Sequence, residues 1–109
     1  MVEQIIINLI TMMVLAWILS IAIHELAHIL YYKWRVGSWP TVWFEKGAIC
    51  VGTNLEIRKL QPTHRREFYI VGPLLGFLVY VVIPSEVVAA VACIPYILGC
   101  RWDLKRFVE

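Results

Sequence analysis

From Ile5 to Tyr32 the chain is almost unbroken in apolar character, except that His24-Glu25-Leu26-Ala27-His28 sits in the last third of the run. Such a run exceeds the roughly 20 residues that carry a helix across a bilayer. A charge near the centre of a spanning helix costs at least ~2.5–3.5 kcal/mol on the insertion scale. Three ionisable groups within five residues therefore call for a compensating partner, and a metal ion supplies one. The plainer reading is that the three are solvated near the membrane surface or paired with one another. Haem ligation fits poorly, because ligands four apart on one helix cannot occupy opposite faces of a porphyrin.

The spacing carries its own chemistry. Residues four apart on a helix share a face, so His24 and His28 point the same way and can grip one Zn²⁺. Glu25, beside the first ligand, is placed as a general base for water activated by the ion. It can then return the proton to a leaving amide nitrogen.

Composition supports a lipid setting. The chain is 61% hydrophobic over 109 residues, with a mean hydropathy of +0.73, against roughly 45–50% apolar residues in soluble domains. Two further apolar runs follow, giving expected spans at about 5–32, 68–83 and 87–100. Pro95 is expected to kink or tilt the third. The expected fold class is thus an α-helical membrane protein, one domain over 1–109, with about three transmembrane helices.

Charge gives the topology. With three spans, all ten Lys and Arg lie on one side, which the positive-inside rule makes cytoplasmic. Tyr31, Tyr32, Trp34, Trp39, Phe68, Tyr69 and Trp102 mark the same interface, as an aromatic belt does. No basic segment precedes the first run, so a cleaved signal peptide is not expected. A multi-pass protein of the cell membrane, with its site towards the cytoplasm, is the expected localisation. No nucleic-acid partner is expected, and three short spans allow a homo-oligomer.

Between spans one and two, a β segment at about 39–57 is expected. Thr41-Val42-Trp43-Phe44 and Ala48-Ile49-Cys50-Val51 flank a Glu45-Lys46-Gly47 turn, and Gly52-Thr53-Asn54 makes a second turn. Cys50, Cys93 and Cys100 form no metal-binding or disulfide pattern. Cys93 and Cys100, seven apart on one helix face, are expected to be small buried hydrophobes more than ligands.

A catalytic zinc takes three protein ligands and keeps one position open. Span one runs inward, so His24 and His28 lie towards the cytoplasm, while Glu3 and Glu86 fall at the opposite face. Asp103, at the inner end of span three, is close in depth to His28 and is the leading third ligand. His64, Glu67 and Glu56 remain alternatives, and Asp103 can also serve as a helix cap or a surface partner of Arg101 or Lys105.

These parts together resemble the site-2 protease family of intramembrane zinc metalloproteases. The residues are His24-Glu25-Leu26-Ala27-His28, Gly72-Pro73-Leu74-Leu75-Gly76, and Pro95 followed by Asp103, and the likeness runs over about residues 12 to 106. It implies hydrolysis of peptide bonds in or near the transmembrane segment of a membrane-protein substrate, with one zinc per chain. His24, His28 and Asp103 would be its ligands, Glu25 the base, and the β segment a rest for extended substrate. Relatives usually have Asn where Gly76 stands, Asn-x-x-Pro in place of Ala92-Cys93-Ile94-Pro95, and Asp-Gly in place of Asp103-Leu104. A non-catalytic zinc-binding membrane protein or pseudoprotease is the alternative. No regulatory module fits in this length, so a minimal core is expected. Gly72 and Gly76 are expected to let spans one and two approach closely.

Overall fold

A computed structural model describes residues 1–108. The elements are α1 (Val2–Val36), β1 (Val42–Glu45), β2 (Ala48–Val51), α2 (Asn54–Arg58), α3 (Pro62–Val81), α4 (Glu86–Gly99) and α5 (Arg101–Val108). At ~1.5 Å per residue, α1 runs nearly the whole 55 Å length of the molecule. It is long and apolar enough to cross a membrane. Gly37 ends it at φ 91°, and its N–H donates to the Lys33 carbonyl at 2.9 Å. That left-handed position favours a residue without a β-carbon.

The two halves of α1 differ. Its buried residues are Ala16, Ser20, Ala27 and Tyr32 together with the two histidines. They recur at three- and four-residue steps, so one stripe of the helix faces the rest of the fold. Residues ahead of Ala16 are nearly all exposed, Ile5, Ile7 and Ile10 among them.

α1, α3 and α4 pack as a bundle around Ala16, Val79, Tyr80, Ala92, Tyr96 and Cys100. Polar groups inside it find partners. The Trp17 indole donates to the Ala92 carbonyl at 2.7 Å, and the Ser20 and Tyr80 hydroxyls meet at 2.8 Å. A second cluster, Tyr32, Leu60 and Phe68, closes the other end of the packed region.

The hairpin forms where the sequence points to it. β1 and β2 pair antiparallel with Val42 opposite Val51 and Glu45 opposite Ala48. Lys46 and Gly47 turn the chain at φ 51° and 76°, the two positive values a tight two-residue hairpin needs. The rest of the 39–57 segment differs from expectation, because Asn54–Arg58 is helix. Thr53 and Glu56 make a reciprocal capping box there, with Glu56 N–H to Thr53 Oγ1 at 3.2 Å and Thr53 N–H to Glu56 Oε1 at 2.9 Å. That local satisfaction of backbone donors overrides the strand-like pattern.

Two other boundaries move. α3 begins at Pro62 rather than at Phe68, since proline suits the first helical position. Pro95 lies inside α4 and does not end it. The bend falls at Cys100, where α4 and α5 diverge by 59°.

Candidate metal centre

His24 and His28 lie on the buried stripe of α1, between the two apolar clusters. Asp103 reaches them from the first turn of α5. Its Oδ2 lies 2.8 Å from His24 Nε2 and 3.0 Å from His28 Nε2, and the two Nε2 atoms are 3.1 Å apart. The histidine side chains are 10% and 5% exposed, and that of Asp103 is 27% exposed. This three-residue group can hold a metal ion.

The far side of each imidazole decides which atom faces the centre. His28 Nδ1–H donates to the Phe68 carbonyl at 2.8 Å, and a carbonyl can only accept. A neutral His28 therefore presents a lone pair at Nε2. For His24 the partner at Nδ1 is the Tyr96 hydroxyl at 3.1 Å. That hydroxyl donates its own proton to the Pro73 carbonyl at 3.0 Å, with the Gly72 carbonyl at 3.3 Å. With that proton committed to Pro73, its oxygen can accept from His24 Nδ1–H, the tautomer in which His24 also presents a lone pair at Nε2.

In that tautomer two nitrogen lone pairs and a carboxylate oxygen converge. That arrangement is repulsive unless a cation, or added protons, lies among them. Fixing a ligand's tautomer through its other nitrogen is the usual arrangement at metal-binding histidines. A tetrahedral ion with ligands at ~2.0–2.1 Å sets them about 3.3 Å apart, and the separations here are a few tenths of an ångström shorter. The donor set fits a divalent ion.

Two glycines make the geometry possible. A β-carbon at Gly72 would stand 2.7 and 2.8 Å from His28 Cε1 and Cδ2. One at Gly76 would stand 2.7 Å from Tyr96 Cζ and 2.9 Å from the Ser20 carbonyl oxygen. Their spacing suggested helix approach alone. In the structure each clears room for one side chain of the centre.

The alternative third ligands are engaged elsewhere. Glu67 accepts from the Tyr31 hydroxyl and, at 3.4 Å, from Arg35. Glu56 is held by the capping box and by the Thr41 N–H at 3.0 Å. The Thr53 backbone donor, opposed by partial burial and aided by Thr41, keeps its carboxyl below the usual range. His64 is not part of the group. Glu25 is half-buried beside His24. β2 packs on α1 nearby. Burial, then Glu45 and Glu25, push the Cys50 thiol up.

Of the cysteines, Cys100 is buried with Sγ 3.6 Å from His24 Nδ1, and Cys93 is half-buried. Cys100 therefore packs behind the imidazole, at the nitrogen turned away from the centre. Tyr96 was not singled out from the sequence. Its only signal there is a lone phenol in the aliphatic stretch around Pro95.

No protein-family model, curated protein or solved structure significantly matches this chain.

Proposed function

We propose that the chain is an intramembrane zinc metalloprotease, cleaving peptide bonds in or near the transmembrane segments of membrane-protein substrates. The observation that carries this reading is the convergence of the His24 and His28 lone pairs with the Asp103 carboxylate, with Glu25 next in sequence to the first ligand. Three protein ligands of nitrogen and oxygen type leave a position for water, as catalytic zinc requires. Imidazole donors favour zinc over magnesium or calcium. Three spans, α1, α3 and α4, would place this centre towards the cytoplasmic face, where the basic residues gather.

Bound zinc would supply Lewis acidity towards water and the scissile carbonyl. The rest is the work of the chain. Phe68 and Tyr96 hold the two imidazoles with Nε2 inward. Glu25 would accept a proton from the attacking water and deliver it to the amide nitrogen as the bond breaks. The hairpin, whose β2 packs on α1, offers strand edges on which an unwound substrate segment could lie.

The test is Glu25→Gln in the full chain, reconstituted with a membrane-protein substrate. Zinc stoichiometry should stay near one while cleavage falls ~10²–10⁴-fold, the range of a lost acid–base group. Cleavage at the wild-type rate would overturn the mechanism. Zinc binding with no turnover in the wild type would leave a non-catalytic zinc protein.

A further inference from the structure

Away from the metal centre, a cavity of about 500 Å³ opens between α2, α3 and α5. Arg58, Arg65, Arg66 and Arg106 line it, with Asn54 and Tyr69. The chain has six arginines, and four of them converge here. Among the described residues, none of the four pairs with a carboxylate. The ion pairs there are those of Asp103 with the histidines and of Glu67 with Arg35. Arg65 donates to the Leu60 carbonyl at 3.2 Å and Arg66 to the Phe107 carbonyl at 3.1 Å, each through Nε. Those bonds use Nε and not the terminal nitrogens of either guanidinium.

Orientation in the membrane needs basic residues on one side, but it does not need them to face a common hollow. Like charges brought together repel, so a concave cluster of four guanidiniums unpaired with any carboxylate among the described residues is matched by an anion of more than one charge. Planar guanidinium forks fit phosphate oxygens in pairs. The cavity lies at the end of the bundle where α3 begins and α5 ends, on the side that the positive-inside rule assigns to the cytoplasm. Basic pockets at that depth suit phosphorylated lipid headgroups.

We propose that this cavity binds the phosphomonoester headgroup of an anionic lipid in the cytoplasmic leaflet. The headgroup would join Arg58 of α2 and Arg65 and Arg66 of α3 to Arg106 of α5. Because α5 also carries Asp103, a lipid seated there would hold the third metal ligand towards His24 and His28. The inference rests on the membrane placement and not on the protease reading.

The experiment uses the full chain in phosphatidylcholine vesicles with and without phosphatidic acid, and follows lipid binding through tryptophan fluorescence. Arg66→Gln combined with Arg106→Gln should weaken phosphatidic acid binding by at least about tenfold, since each basic residue near such a surface is worth about 1 kcal/mol. Arg35→Gln combined with Arg101→Gln removes the same charge from outside the cavity and should change binding less than about threefold. Circular dichroism should be unchanged in both pairs. Hydrogen exchange in α5 should slow when phosphatidic acid is present. Equal loss in the two pairs would overturn the site, because the attraction would then follow net charge alone. Full displacement by inorganic phosphate would overturn the lipid assignment in favour of a soluble phosphate. A double variant that loses its circular dichroism would show that the arginines are structural and overturn the proposal as well.

Discussion

The two sides of the metal centre are built to different standards. On the α3 side, His28 is clamped between a backbone carbonyl of a 20-residue helix and the bare Cα of Gly72. Phe68 also packs its ring 4.8 Å from the imidazole and belongs to the Tyr32–Leu60 cluster. On the α5 side, Asp103 stands on an eight-residue helix with no buried residue, beyond a 59° bend. Short helices draw most of their stability from packing. The histidine pair is therefore preorganised, whereas the aspartate rides on a short helix that packs on α3 without a buried residue of its own.

Three measurements press on that difference. The largest effect belongs to Gly72→Ala, because the new methyl must displace a ring that has nowhere to move. Overpacking of this kind costs ~1–3 kcal/mol, so both the melting temperature of the metal-stripped protein and its zinc affinity should fall. An unchanged melting temperature would mean that the α3 side is as yielding as the α5 side.

Asp103→Asn comes next and separates the two properties. Zinc affinity should drop by more than the ~10–100-fold typical when only a ligand's hydrogen-bonding support is lost. Stability without metal should stay within about 0.5 kcal/mol, as for substitutions outside the packed core. If the apo-protein unfolds as readily as Gly72→Ala, the contrast between the two sides fails.

The smallest effect lies at the outer support of the His28 side. The Tyr32 hydroxyl donates to the Glu56 carbonyl at 3.1 Å, so α2 braces the cluster beneath His28. Hydrogen bonds from the Thr53 and Thr41 amides hold the Glu56 carboxyl below its ordinary value of 4.5. A depressed carboxyl contributes stability above its unfolded pKa and loses that contribution as pH falls through the folded value. Hydrogen exchange at the Thr41 and Thr53 amides should therefore accelerate as pH drops below about 4.5, after correction for intrinsic rates. In Glu56→Gln that acid-dependent step should disappear. The same pH dependence in both proteins would assign it to another group.

Much of this was legible along the chain. The two histidines share a face because a four-residue step on a helix brings them to the same side. The hairpin turn falls at Lys46-Gly47 because glycine takes the second of two successive positive φ values without strain. Three things were hidden. The capping box at Thr53 and Glu56 turned an expected strand into α2, a local hydrogen-bond exchange that outweighs pattern. The bend expected from Pro95 appeared at Cys100, where α4 gives way to α5. Gly72 and Gly76 looked like generic close-packing residues.

Hydropathy, helical period and turn chemistry are properties of neighbours in sequence, and they settled the long apolar helix, the hairpin and the shared face of His24 and His28. The choice of partner across 75 to 79 residues was of another kind. Asp103, Glu56, Glu67 and His64 all carry suitable donors. Only the packing of α5 against the bundle, with Tyr96 filling the room left by Gly76, brings one of them to the two imidazoles. Tautomers were likewise beyond reach of the sequence, because a ring nitrogen takes its proton according to the atom opposite it. The folded chain places the Phe68 carbonyl and the Tyr96 hydroxyl there.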